Sequence, residues 1–190
     1  MFIIKNKYFL IIENIKDINL KNIKIRNKFF IIYRNNKKTD SLNELMKFRK
    51  ICKSKAIRFY IANDIKLAIL LNSDGIYLSS YNKALNYLNF KKSKFDIIGS
   101  AHNLAEISNK IKQGCSSILL SKLFLVSYNK KSPYLGVLKF NNFLKMNNRL
   151  IPLGGINIYN LNNLNNLYCE GFALFSEIKK KPANIINRLF

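Results

Sequence analysis

A few residues have the chemistry of a working site. Arg34 is one of only six arginines among 33 basic residues, the other 27 being lysine. A guanidinium retained in such a chain suits bidentate binding of phosphate, with a plain surface arginine as the alternative. Gly154-Gly155, straight after Ile151-Pro152-Leu153, would let backbone N–H groups approach an anion, or would simply turn the chain from strand to helix. Asn63-Asp64, directly ahead of Ile65-Lys66-Leu67-Ala68, offers a carboxylate for Mg2+, which needs only one or two when a phosphorylated substrate supplies other oxygens; the same pair would also cap a helix. His102, the only histidine, stands near Ser100 and is either a proton carrier near neutral pH or a hydrogen-bonded structural residue.

These residues make a site only if the fold gathers them. Short β-rich runs alternate with helical spacing along the chain, the pattern of a parallel sheet wrapped by helices. Eight strands are predicted, at Tyr8–Ile12, Phe29–Tyr33, Arg58–Ile61, Gly75–Leu78, Asp96–Gly99, Ser117–Leu120, Leu150–Leu153 and Gly171–Phe175. Most are continuous apolar runs, as expected where both faces are covered. Helical spacing joins Leu42, Leu45, Met46, Phe48 and Ile51; Ile65, Leu67, Ala68 and Leu71; and Leu104, Ile107 and Ile111. Further helices are expected at Asn82–Asn89, Gly136–Met146, Asn157–Leu167 and Pro182–Leu189, and Ser41 with Glu44 forms a capping-box signature.

About 24 residues per strand–helix unit is near the lower limit for a (β/α)8 barrel. The reading is therefore α/β, a compact (β/α)8 TIM barrel filling residues 1–190 as one domain, with a vestigial first helix because Lys16 to Asn27 is too short and broken for a full one. An open doubly wound sheet is the alternative. In the barrel, reactive groups belong just beyond the C-terminal strand ends. Arg34, Asn63-Asp64, Ser79-Ser80-Tyr81-Asn82, Ser100 with His102, Ser121-Lys122, Gly154-Gly155 and Ser176-Glu177 all fall there.

Composition narrows the partners. The 190 residues are 48% hydrophobic with only 7 Gly and 3 Pro, which indicates a packed globule. The net charge of +23 would ordinarily suggest nucleic acid or an anionic membrane. Here 27 Lys accompany 28 Asn and abundant Ile, residues that share A- and T-rich codons, and the lysines are spread rather than clustered. Nucleic acid is accordingly not expected as a partner. Three cysteines with no C-x-x-C pair indicate neither a disulfide framework nor a zinc ribbon, and a reducing cytoplasm is expected. The apolar opening is broken by Lys5 and Lys7, so neither a leader nor a membrane span is expected.

Taken in order, the strand-end motifs resemble the thiamine-phosphate synthase/thiazole tautomerase superfamily of compact (β/α)8 barrels. The resemblance rests on Tyr33-Arg34, Ile61-Ala62-Asn63-Asp64 with Lys66-Leu67-Ala68, Asp74-Gly75-Ile76, Ile98-Gly99-Ser100-Ala101-His102, Leu135-Gly136, Pro152-Leu153-Gly154-Gly155-Ile156 and Gly171-Phe172-Ala173. It implies a synthase that joins a pyrimidine methyl diphosphate to a thiazole phosphate with loss of pyrophosphate and help from Mg2+. Arg34 and Ser100 would then meet the diphosphate, and Asn63, Asp64 and Asn82 the diphosphate–metal corner. Gly154, Gly155 and the backbone at Phe175-Ser176 would hold the thiazole phosphate, while Lys130 or Lys131 would reach the phosphates from the loop.

This chain also departs from the family pattern. Ser79-Ser80-Tyr81-Asn82 replaces Gly-Gln-Glu-Asp, so the second metal carboxylate is an amide. Tyr77 stands for a His, Ile32 for a Gln, Asn36 for a Lys, Val126-Ser127-Tyr128-Asn129 for Thr-x-Thr-Lys, and Lys122 for a Pro. Two other readings stay open: a tautomerase-like isomerase using His102, and a non-catalytic barrel that binds a phosphorylated ligand or serves as an interaction module. The expected partners are small phosphorylated molecules, with no membrane, and the oligomeric state is left open.

Overall fold

A computed structural model of the chain describes residues 5–23, 27–35, 40–87, 89, 95–126 and 133–180. Eight parallel strands close into a barrel in sequence order. They are β1 (Lys7–Ile12), β2 (Phe29–Tyr33), β3 (Arg58–Ala62), β4 (Gly75–Leu78), β5 (Asp96–Ala101), β6 (Ser117–Ser121), β7 (Leu150–Leu153) and β8 (Gly171–Leu174). Closure is made by β1 against β8, with Tyr8 opposite Phe172 and Leu10 opposite Leu174. The expected strands match to within two residues at either end, and Phe175 falls just past β8 instead of inside it.

Alternation along each strand creates two apolar layers. Phe9, Ile11, Phe30, Ile32, Tyr60, Tyr77, Ile98, Leu119, Ile151 and Ala173 fill the barrel interior. The intervening residues, such as Tyr8, Phe29, Phe59 and Phe172, pack outward in the larger cluster with the helices. The N-terminal end of the barrel is closed by polar contacts. The Tyr60 hydroxyl donates to Asp96 Oδ2 at 2.8 Å, and Ser116 Oγ donates to Asp96 Oδ1 at 2.7 Å.

The helices are α1 (Leu42–Ser54), α2 (Ile65–Leu70), α3 (Leu104–Lys112), α4 (Gly136–Met146) and α5 (Ser176–Lys180). Ser41 and Glu44 form the expected capping box on α1, each side chain accepting from the other's backbone N–H. Between β1 and β2 the described residues hold only two 3₁₀ turns, Ile15–Asp17 and Leu20–Asn22, the vestige expected there.

The structure corrects two helix expectations. Asn157–Leu167 is not an α-helix: a 3₁₀ helix spans Leu161–Asn166. Asparagine is a weak helix former, and the buried Leu161, Leu164 and Leu167 recur every third residue, the period of a 3₁₀ helix. Asn82–Leu85 is irregular backbone, and the carbonyls of Asn82 and Ala84 accept from the side chains of Lys110 on α3 and of Gln113 just after it. The predicted helix at Pro182–Leu189 lies outside the described residues.

The buried helix faces are also shifted. On α1 they are Leu45, Phe48 and Cys52, leaving Leu42, Met46 and Ile51 exposed. On α3 they are Ile107 and Lys110, with Leu104 and Ile111 exposed. Among the described residues no helix is long and apolar enough to cross a membrane.

Candidate functional site

The period of two that fills the barrel also builds its mouth. Five interior residues are followed two positions later by a pocket residue: Ile32 by Arg34, Tyr77 by Ser79, Ile98 by Ser100, Leu119 by Ser121 and Ala173 by Phe175. Together with Tyr77, His102, Lys122, Gly154, Gly155 and Ser176 they line a cavity of about 430 Å³ at the C-terminal ends of the strands.

Arg34 is the focus of this cavity. Its backbone N–H donates to Ile12 at 2.8 Å, fixing the chain at the end of β2. Its guanidinium lies over the Phe175 ring at 4.8 Å, a cation–π contact that orients the fork, and approaches Glu13 at 3.9 Å. Its Nε is buried and has no hydrogen-bond partner among the described residues. A buried donor left unpaired is costly, so a cationic one in a cavity wall marks the place of an anion. The Tyr77 hydroxyl is in hydrogen-bond contact with Ser100 and Arg34. Burial pushes its pKa up, with those contacts pulling the other way, so the phenol stays protonated at neutral pH.

In the wall of the same cavity, Gly154 and Gly155 adopt φ of 92° and 73°. A Cβ on Gly155 would stand 2.4 Å from the Phe124 carbonyl oxygen, so only glycine fits. The Gly155 carbonyl accepts from Asn160 Nδ2 at 2.8 Å and from Asn157 Nδ2 at 3.3 Å, which fixes the turn as a rigid shelf. His102 also faces the cavity, with Nδ1 2.8 Å from Ser121 Oγ and its backbone N–H donating to Glu106 Oε2 at 2.7 Å.

The corner at the ends of β3 and β4 is organised differently. Asn63 has φ of 56°, which ends the alternation of β3. Asp64 thereby becomes the N-cap of α2, accepting from Leu67 N–H at 2.9 Å. It lines a separate cavity of about 240 Å³ with Tyr33, Asn35 and Asp40, and not the main one. The Asn63 amide oxygen accepts from Ser79 N–H, Ser79 Oγ and Asn82 Nδ2, each at 3.1 Å. Its Nδ2 donates to Ser79 Oγ at 2.8 Å and to the Tyr81 hydroxyl at 3.1 Å. Asn82 Oδ1 accepts from Ala84 N–H at 3.1 Å.

The resemblance implies Mg2+ at this corner, and the residues present do not fit it. Mg2+ prefers carboxylates and water in open octahedral geometry. Here Asp64 caps a helix on the far side, Asn82 is neutral with its oxygen engaged, and no group of three or more His, Cys, Asp or Glu is clustered among the described residues.

The structure thus brings Arg34, Ser100, His102, Gly154, Gly155, Phe175 and Ser176 to one cavity, with Asn63 joined to its wall through Ser79 and Tyr81. It leaves Asp64 and Asn82 off that cavity's wall. Lys130 lies outside the described residues. Sequence reasoning gave Tyr77 and Ser121 no catalytic or binding role, although both sit at the interior parity of their strands. It also overlooked Lys110, whose place three residues after Ile107 put it on the inner face of α3.

Comparison with known proteins converges on one family. The family described as thiamine monophosphate synthase matches residues 3–178. A thiamine-phosphate synthase of Prochlorococcus marinus strain AS9601 is 26% identical over 180 residues, covering 94% of this chain and 50% of that protein. One from Pelagibacter ubique strain HTCC1062 is 30% identical over 165 residues, covering 80% of this chain and 78% of that protein. The chain spans between 40% and 50% of the length of its Prochlorococcus relatives.

Among solved structures, a thiamine phosphate pyrophosphorylase from Pyrococcus furiosus superposes with a TM-score of 0.71 at 14% identity, covering 97% of both chains. A 3-keto-L-gulonate-6-phosphate decarboxylase from Vibrio cholerae gives 0.64 at 10% identity, covering 98% of this chain and 99% of that one. Such distant likenesses speak for the barrel alone. The sequence match, running from before β1 into α5, speaks for more: this chain belongs to the thiamine monophosphate synthase family.

Proposed function

We propose that the protein is a thiamine-phosphate synthase, joining a pyrimidine methyl diphosphate to a thiazole phosphate and releasing pyrophosphate. The observation that carries this reading is Arg34, a partly exposed guanidinium whose buried Nε has no hydrogen-bond partner among the described residues, in the wall of a cavity of about 430 Å³ that the Gly154-Gly155 shelf also lines. Two anionic groups held in one cavity are what this reaction requires.

The reaction breaks the bond between the pyrimidine methylene carbon and the diphosphate oxygen, whose electron pair leaves with pyrophosphate. The thiazole nitrogen then gives its lone pair to the cationic carbon. Charge accumulates on the leaving oxygens, so fixed donors there lower the barrier. Arg34 supplies a fork of N–H donors, and the Ser100 and Tyr77 hydroxyls adjoin it. The shelf and the start of α5 hold the thiazole phosphate at attacking distance, which removes much of the entropic cost of meeting. Mg2+ would neutralise part of the diphosphate charge when bound; no step here is assigned to it. Lys130 or Lys131 would add a cationic contact to the phosphates.

The contact of His102 with Ser121 favours one second reading, a tautomerase-like isomerase. Ser121 Oγ engages Nδ1 and leaves Nε2 as the proton-transfer atom. One assay separates the two. Purified protein incubated with the pyrimidine diphosphate, thiazole phosphate and Mg2+ is expected to form thiamine phosphate, with Arg34→Ala slower by about 100-fold. Absence of product from protein that still binds thiazole phosphate would overturn the synthase reading in favour of proton transfer by His102.

A further inference from the structure

The loop that follows β4 is held by a cation belonging to the protein. Lys110 on α3 is 0% exposed, and its Nζ lies 2.7 Å from the Ser79 carbonyl oxygen, 2.7 Å from that of Asn82 and 2.8 Å from Gln113 Oε1. Three acceptors around one nitrogen match the three donors of an ammonium, where a neutral amine has two. The adjacent Gln113, also 0% exposed, donates from Nε2 to the carbonyls of Asn82 and Ala84 at 3.0 and 2.7 Å. Carbonyl oxygens converging on a buried positive charge are the ligand set of a hard cation, supplied here to a side chain.

The surroundings are shaped for this lysine. A Cβ on Gly99 of β5 would come within 2.7 Å of Lys110 Cδ and 2.9 Å of Cys115 Sγ, so the glycine clears a channel for the aliphatic stem. Burying a charge costs several kcal/mol unless dipoles compensate it, and the Ser79 and Asn82 carbonyls provide that compensation. Around the same loop, Asn82 Nδ2 reaches Asn63 Oδ1 at 3.1 Å and the Tyr87 hydroxyl at 3.2 Å. A divalent ion at this corner would have to displace those bonds and would stand near the Lys110 ammonium.

We propose that Lys110 is a built-in cation that positions the Ser79–Asn82 loop in the role of a metal, and that the free protein has no divalent-cation site at Asn63, Asp64 and Asn82. The proposal deepens the synthase reading, since that reading is what identifies the corner as one where Mg2+ would be sought. It makes Lys110 a positioning residue, acting on the cavity through Ser79 and through Asn63, whose amide reaches Tyr81.

The test uses no substrate, so it stands apart from whether the protein is a synthase. Mn2+ titrated into the free protein and followed by the electron paramagnetic resonance signal of the aqueous ion is expected to show no saturable site up to about 1 mM. One Mn2+ bound per chain and lost in Asp64→Asn would overturn the proposal. In hydrogen exchange, Lys110→Met is expected to speed exchange of the amides of residues 79–87 by about tenfold while β6 and β7 stay protected. Wild-type exchange should be the same with and without Mg2+, and the double variant Lys110→Met with Asn82→Asp should regain protection on adding Mg2+. Unchanged protection in Lys110→Met would also overturn the proposal. Should that variant not fold, Gln113→Ala, which removes two carbonyl contacts and one Lys110 acceptor, carries the same readout.

Discussion

The two halves of the barrel mouth solve opposite problems. On the side of β2, β5, β7 and β8, a guanidinium and a glycine shelf face a cavity, and the buried Arg34 Nε has no hydrogen-bond partner among the described residues. On the side of β3 and β4, the amide atoms of Asn63 and Asn82 are all engaged, and the internal cation Lys110 has an acceptor for each donor. An unpaired buried donor costs free energy that a ligand recovers, whereas a saturated network gains nothing from a ligand. The first half is built to bind, and the second to hold the first in place.

Substitutions on either half sharpen or break this contrast. The largest expected effect is at Arg34: Arg34→Ala should weaken pyrophosphate binding by about 100-fold, roughly 3 kcal/mol, in isothermal titration calorimetry. A change under threefold would mean that Nε faces no anion. Next is the shelf. Gly155→Ala forces a Cβ onto the Phe124 carbonyl at a φ of 73°, so affinity for a phosphate monoester should fall by about tenfold, and stability should fall by roughly 1–3 kcal/mol in denaturant unfolding. Normal monoester affinity in Gly155→Ala would place that phosphate elsewhere.

The smallest effect belongs to the carboxylate that the motif most suggested for metal. Asp64→Ala should cost about 1 kcal/mol in denaturant unfolding through loss of the α2 cap, and change pyrophosphate affinity in Mg2+ by no more than about twofold. A larger affinity loss there would erase the distinction between the halves.

Much of the barrel was legible because period and punctuation are local properties. Continuous apolar runs at regular intervals gave the strands, Ser41 and Glu44 the start of α1, and the brevity of the first connection its lack of a full helix. The site was legible where strand parity carries it, as from Ile32 to Arg34 and from Ile98 to Ser100. It was hidden where a backbone turn overrides parity. Asn63 at φ 56° sends Asp64 to a helix cap, a choice invisible in a motif that serves metal ligand and N-cap equally well.

The chain's sequence alone determined which residues alternate inward, where strands stop and which side chains stand at their ends, because those follow from neighbours two to four positions apart. Tertiary structure decided what those residues meet. Lys110 looks like a solvated helix lysine until the Ser79 and Asn82 carbonyls, some thirty residues upstream, are seen to enclose it. Arg34 looks like any arginine until burial removes the water that would have satisfied its Nε. Desolvation and long-range pairing depend on distances in space, and those exist only once the barrel has closed.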